Sequence, residues 1–192
     1  MANTPVIGVR EQDLSDLCRH LIEYSLRTDG PFLLRSGIES DWYLDARQTT
    51  FDGAGARLVA EAVLDVLESG VQAVGGMTMG ADPIAVSTAV VGVERGLDLR
   101  AFSIRKQEKD HGVRGRLVGA VAPGDGVAVL EDTTTTGAAL AEAVDVAIGQ
   151  GLVVIQAIAL VDRSGAAAAR LIAERGVPYV ALVRPKDLGV TE

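Results

Sequence analysis

The chain has 192 residues, 48% of them hydrophobic, with a formal net charge of −8 and a single cysteine. That length suits one domain with a real core, and the hydrophobic content excludes a disordered chain. The acidic balance argues against general nucleic-acid binding, the lone Cys18 excludes an internal disulfide, and no apolar run reaches the roughly eighteen residues of a membrane span.

The opening residues, MANTPVIGVREQDL, lack the basic-then-apolar pattern of a signal peptide, so a cytoplasmic protein is expected. Glu11 to Arg27 reads as an amphipathic helix. Cys18 lies on its stripe of Leu14, Leu17, Leu21 and Ile22, the place of a core thiol rather than a nucleophile. Asp29-Gly30-Pro31 marks a turn, and Phe32 to Arg35 with Trp42 to Asp45 reads as a hairpin joined by Ser36 to Asp41. Arg57 to Glu68 has helical periodicity, and Val71 to Met77 reads as a strand. Asp82-Pro83 opens a helix, with proline at its first position, that runs to about Arg95. Leu99 to Ile104 is a strand, followed by a basic loop and a strand at Leu117 to Val121. Val127 to Leu130 is a strand and Ala138 to Gly149 a helix. Val153 to Val161, VVIQAIALV, is apolar almost throughout, as in a parallel sheet covered on both faces. Gly165 to Glu174 is a helix and Tyr179 to Val183 the last strand.

The alternation from Arg57 onward predicts an α/β fold, a doubly wound, mostly parallel sheet flanked by helices with ligands at the carboxyl ends of the strands. Residues 1–192 are expected to form one domain: a small N-terminal hood over about 10–50 and an α/β core over about 51–185. Met77, Ile104, Leu130 and Val161 each precede a loop, so these loops should gather on one edge. No repeat, linker or His/Cys metal-ligand spacing is visible.

The stretch Val127 to Leu140, VAVLEDTTTTGAAL, carries the most chemistry. A buried strand ends in two carboxylates, Glu131 and Asp132, passes through Thr133, Thr134, Thr135, Thr136 and Gly137, and opens a helix at Ala138 and Ala139. Helix N-termini and successive loop amides bind anions. The acids repel a phosphate and suit sugar hydroxyls or a metal beside it. Together they suggest a ribose 5-phosphate. No lysine lies in the segment, so this is not a Walker-type loop. A plain polar turn with one capping threonine explains one threonine, not four after two acids.

A second segment is Arg105 to Gly112, RKQEKDHG. The chain has three lysines, Lys106, Lys109 and Lys186, and two fall here beside His111. Arg114 and Arg116 extend the cluster on an otherwise acidic protein, which predicts an anion there. Gly112 and Gly115 would let it move as a lid. A solvated hairpin tip is the plainer alternative.

These residues resemble the type I phosphoribosyltransferases, in which such a loop holds the 5-phosphate of phosphoribosyl diphosphate (PRPP) and the acids face the ribose hydroxyls. The Arg-Lys, then Lys-x-His-Gly pattern resembles the catalytic loop of the orotate phosphoribosyltransferases. Leu34 to Arg47, LRSGIESDWYLDAR, and Leu160 to Arg163, LVDR, resemble that family's N-terminal element and carboxylate-binding strand end. The chain departs from the family where Arg35 replaces a lysine and where Thr78-Met79 replaces a Tyr-Lys pair. Cations at 35 differ in geometry, and the backbone of Gly75 to Gly80 is left to bind pyrophosphate.

The resemblance implies that PRPP and orotate give orotidine 5-monophosphate and pyrophosphate, with Mg2+, in pyrimidine (UMP) biosynthesis. It implies Lys109, His111 and Asp132 as catalytic residues. PRPP would be bound by Arg35, Arg105, Lys106, Lys109, His111, Glu131, Asp132, Thr133, Thr134, Thr135, Thr136, Gly137, Ala138 and Ala139. Orotate would be bound by Tyr43, Leu44, Thr135 and Arg163. Magnesium would be held mainly by PRPP, and a homodimer with shared sites is implied, with no nucleic-acid or membrane partner. The rival readings are transfer to another base, a regulator that keeps the PRPP fold but binds nucleic acid, and a nucleotide-binding structural subunit.

Overall fold

The computed structural model describes residues 11–33, 39–107 and 115–191. The first helix, α1 (Glu11–His20), passes into one wide turn at Leu21–Ser25. The helix expected to reach Arg27 therefore stops early, and Leu26–Arg27 forms a short strand, β1. Strands β2 (Phe32–Leu33), β3 (Glu39–Ser40) and β4 (Tyr43–Leu44) follow. The expected hairpin is corrected here: β2 pairs with β3, whereas β4 pairs with β1. Trp42 and Leu44 are both buried in the core, so their strand is drawn under the end of α1 instead of lying along Phe32. Asp45 N–H donating to Ser25 O at 3.0 Å holds it there.

A four-residue helix, α2 (Arg47–Thr50), was not expected from the sequence. Its Thr49 and Thr50 are buried, and Thr49 Oγ1 meets Ser25 Oγ at 2.6 Å and His20 Nδ1 at 3.2 Å. Helix α3 (Gly53–Val66) is capped by Asp52, whose carboxylate accepts from Ala54 and Gly55 N–H. Such a cap satisfies otherwise unpaired amides.

The core continues with β5 (Ala73–Met77), α4 (Ala81–Glu94), β6 (Arg100–Ile104) and β7 (Leu117–Gly119). Then come β8 (Gly126–Thr134), α5 (Ala138–Gly149), β9 (Val153–Asp162), α6 (Ala167–Ala173) and β10 (Tyr179–Val183). Strand β8 runs past Leu130, so the two acids and two of the threonines belong to its end.

The strands form one sheet in the order β10-β9-β8-β5-β6-β7, parallel except for β7, which pairs antiparallel with β6. The chain winds outward from β5 to one edge, returns to β8 beside β5, and winds outward to the other. The doubly wound, mostly parallel sheet expected from the alternation is the one observed. Its switch point lies between β5 and β8, and in such sheets ligands bind in the crevice at that point. Two apolar clusters cover the faces, one drawing on α1, α3 and α4 and the other on α5 and α6. Gln156 on β9 is buried and polar because it finishes α3, donating to Val66 O at 2.9 Å and accepting from Glu68 N–H at 3.1 Å.

Candidate active site

A cavity of about 500 Å³ opens at the switch point, lined by Arg47, Met77, Thr78, Met79, Gly80, Lys106, Glu131, Asp132 and Ala139. Four segments meet in it: α2, the loop from β5 to α4, the loop after β6, and the turn from β8 to α5. Parallel strands ending on one edge deliver the last three.

Glu131 is 8% exposed, and its Oε2 is buried without a hydrogen-bond partner among the described residues. Burial, reinforced by the neighbouring Asp132 carboxylate, pushes its pKa up to about 8, while Lys106 pulls the other way. A buried carboxyl group with an unpaired oxygen lacks a partner that a hydroxyl or a cation in the adjoining cavity could supply. Asp132 accepts from Thr133 N–H at 2.7 Å and lies against Gly80, where an added Cβ would sit 2.6 Å from its carboxyl carbon. Glycine at 80 is therefore what admits Asp132 to the cavity.

The turn is built from its own side chains. Thr134 is buried, and its hydroxyl accepts from Gly137 N–H at 3.0 Å. Thr136 Oγ1 accepts from Ala138 N–H at 3.3 Å. Gly137 has φ +83°, and an added Cβ would approach Ala168 Cα to 2.6 Å. Two of the four threonines thus shape the turn, Thr135 stays exposed, and Thr133 is half-buried. Ala138 and Ala139 begin α5, whose first amides lack partners within the helix.

Arg163 follows β9, and its N–H donates to Thr134 O at 2.8 Å. Its half-buried guanidinium stacks over Trp42 at 3.7 Å from the ring centroid. Burial lowers its pKa, and Tyr43 acts in the opposite sense. Tyr43 is partly exposed, whereas the Leu44 side chain is turned into the core. Any contact of Leu44 with a ligand would come from its backbone.

The basic segment springs from the β6–β7 hairpin, where Ile104 faces Leu117 and Arg105 N–H donates to Arg116 O at 2.8 Å. Lys106 reaches the cavity. Arg105 is half-buried with Nη1 at 3.5 Å from Gly115 O. Arg116 is engaged in structure, donating to Arg105 O at 2.6 Å and pairing with Glu142. Arg35, Lys109 and His111 lie outside the described residues.

The glycine-rich segment needs a correction. Gly75 and Gly76 lie inside β5, where an added Cβ would strike Phe102 O and Leu130 O. They serve close strand packing, so only Thr78 to Gly80 remain as loop, and Thr78 N–H is already donated to Ile104 O at 2.9 Å. Thr78 Oγ1 donates to Asp82 Oδ2 at 2.6 Å.

Sequence reasoning assigned no role to Arg47. Its Nε donates to Asp45 at 2.7 Å, and the charges of Asp45 and then Asp132 favour its ionised form. Nothing local in the sequence separates it from the other arginines, since its place at the cavity comes from the tertiary fold.

No family model matches the chain. An orotate phosphoribosyltransferase of Streptomyces avermitilis is 40% identical over 162 residues, covering 84% of this chain and 89% of that one. The chain belongs to the orotate phosphoribosyltransferases. Among solved structures of this family, the Mycobacterium tuberculosis enzyme in complex with Fe(III) dicitrate superposes with TM-score 0.79 at 32% identity, covering 93% of this chain and 99% of the other. The same enzyme in complex with PRPP gives TM-score 0.75 at 28% identity with equal coverage.

Proposed function

We propose that this orotate phosphoribosyltransferase makes orotidine 5-monophosphate and pyrophosphate from orotate and PRPP, as a step of pyrimidine biosynthesis. The observation that carries the reading is the cavity at the switch point, where the buried Glu131, its half-buried neighbour Asp132, a lysine and the start of a helix converge.

Substitution at the anomeric carbon of ribose passes through a state with positive charge on the sugar. The protein's part is to hold the ribose in line, to stabilise that charge and to neutralise the leaving group. The Thr133–Ala139 turn would hold the 5-phosphate through amides and hydroxyls. Glu131 and Asp132 would take the ribose hydroxyls and face the developing charge. Lys106, with Arg105, Lys109 and His111, would cover the diphosphate. Arg163, held flat by Trp42, would present its outer edge to the orotate carboxylate, beside Tyr43 and Thr135. Arg35 would add a cation to the phosphate side.

Magnesium fits this donor set. The described residues hold no cluster of three or more metal-ligating side chains, but two acidic side chains line the cavity, one with an unpaired oxygen. Such an ion, which uses few protein ligands, would neutralise charge on the diphosphate.

A homodimer is part of the proposal. Val86, Val90 and Val93 form an exposed apolar stripe on α4, 57%, 55% and 61% accessible. On a chain of net charge −8, an uncharged face is where a second copy can approach without repulsion. The stripe lies on α4, the helix that begins just after the cavity residues Met79 and Gly80, so a copy seated there would approach the site from that side. The described part of the N-terminal segment up to Thr50 we assign as a hood, since Arg47 from it lines the cavity. None of the described helices is long and apolar enough to cross a membrane. Both substrates are anions that do not pass a bilayer unaided, which supports action in the cytoplasm.

The test is the absorbance of orotate on mixing with protein, PRPP and magnesium. Loss that needs all three, and collapses in Lys109→Ala, is expected. No loss while PRPP still binds would move the reading to another base.

A further inference from the structure

The cavity at the switch point is lined by a cation, Arg47, to which the roles above give no part. Its acidic members are Glu131 and Asp132. The wall formed by Met77, Thr78, Met79 and Gly80 has no charged side chain, and Thr78 spends its hydroxyl on Asp82. Among the described lining residues the cations are Lys106 and Arg47. A diphosphate entering beside two carboxylates is attracted by every cation that lines the cavity, and Arg47 is one of the two.

Arg47 is built for that place. Asp45 accepts from its Nε at 2.7 Å and from its backbone N–H at 3.2 Å, so one edge of the guanidinium is fixed at the start of α2. The Nη edge has no acceptor among the described residues. The side chain is about half exposed, and its ionised form is favoured by Asp132 across the cavity as well as by Asp45. A guanidinium with one edge anchored and the other free is the arrangement that binds a phosphoryl group in two-pronged fashion.

We propose that Arg47 binds the diphosphate end of PRPP, as a second cation beside Lys106 in a cavity whose Met77–Gly80 wall carries none. The inference rests on the reaction proposed above. The other anion in that reaction, the orotate carboxylate, has its own cation in Arg163, which stacks on Trp42 and does not line this cavity. Tyr43 interacts with both arginines, so the two cationic places adjoin but are separate.

The experiment compares Arg47→Ala and Arg47→Lys with the parent, with Arg57→Ala as a control for lost surface charge. KM is measured for PRPP and orotate forward, and for pyrophosphate and orotidine 5-monophosphate in reverse, with magnesium present. Arg47→Ala should raise KM for PRPP and pyrophosphate about tenfold or more, the scale of a lost charge-assisted hydrogen bond. KM for orotate and orotidine 5-monophosphate should stay within about twofold, with partial recovery in Arg47→Lys, which keeps charge but not the fork. Unchanged PRPP and pyrophosphate constants, an equal rise for orotate, or the same rise in Arg57→Ala would overturn the assignment. If the parent does not consume orotate, the reaction falls, and calorimetric titration of PRPP into parent and variants still decides Arg47. Melting temperatures check folding. Should Arg47→Ala be destabilised, the PRPP constant of Arg47→Lys, which keeps the stem, decides the assignment.

Discussion

Burial and, after it, the Asp132 charge push the pKa of Glu131 up to about 8, which favours its protonated form in the free protein. The sign of the consequence follows from linkage. The folded state binds this proton more tightly than the unfolded chain, whose glutamate titrates near its ordinary 4.5. Stability therefore falls as pH rises from about 4.5 through about 8. Glu131→Gln removes the ionisable group while keeping its shape, so its melting temperature should gain on the parent between pH 5 and pH 9. A ligand that needs the ionised pair must displace the proton. PRPP binding with magnesium should then release protons from the parent at pH 7 and release fewer from Glu131→Gln. Calorimetry in two buffers of different ionisation enthalpy measures this, and equal release from both proteins would place the proton elsewhere.

Helices and strands here are held by groups distant in sequence. Gln156, on β9, satisfies a carbonyl and an amide at the end of α3. Gln156→Leu would leave both without a partner and should cost about 2 kcal/mol in urea unfolding. Its kcat should be unchanged, because Gln156 does not line the cavity. The same dependence on distance separates what the sequence reveals from what it hides. Helix α5 and strand β10 have the limits read from their own sequences, Ala138 to Gly149 between two glycine-containing turns and Tyr179 to Val183 as a short apolar run. The acidic pair and Lys106 were legible because strand ends of a parallel sheet meet on one edge whatever the details of packing. Helix α2 was hidden, because Arg-Gln-Thr-Thr has little intrinsic preference and is wound by the burial of Thr49 and Thr50. Arg47 was hidden with it. The pairing of β4 with β1 was hidden too, as the short loop from Phe32 to Asp45 suggests a local hairpin until Trp42 and Leu44 are seen to need the core.

At the scale of the whole molecule, the proposed dimer would link assembly to activity through α4, the helix that follows the cavity loop at Thr78 to Gly80. On α4, Ala81, Ile84, Ala85, Thr88, Val91 and Gly92 turn inward, yet Val86, Val90 and Val93 turn outward, so the helix is apolar on both sides. A helix apolar all round is normally covered all round. A second copy on the outer face would leave each cavity beside the partner, within reach of loops from it. Val90→Glu puts a charge at the centre of that face, where burial without a counter-ion is unfavourable. Since Val90 is 55% exposed in the single chain, the fold itself should survive, as circular dichroism would show. Sedimentation should then show a species near the 20.0 kDa of one chain in place of a dimer. Activity should fall with it if the sites are shared. Mixing Lys109→Ala with Asp132→Ala separates sharing from mere dimerisation: shared sites restore part of the activity in the mixed dimer, because one of its two sites combines both intact residues. A Val90→Glu protein that stays dimeric and fully active would place the contact on another face.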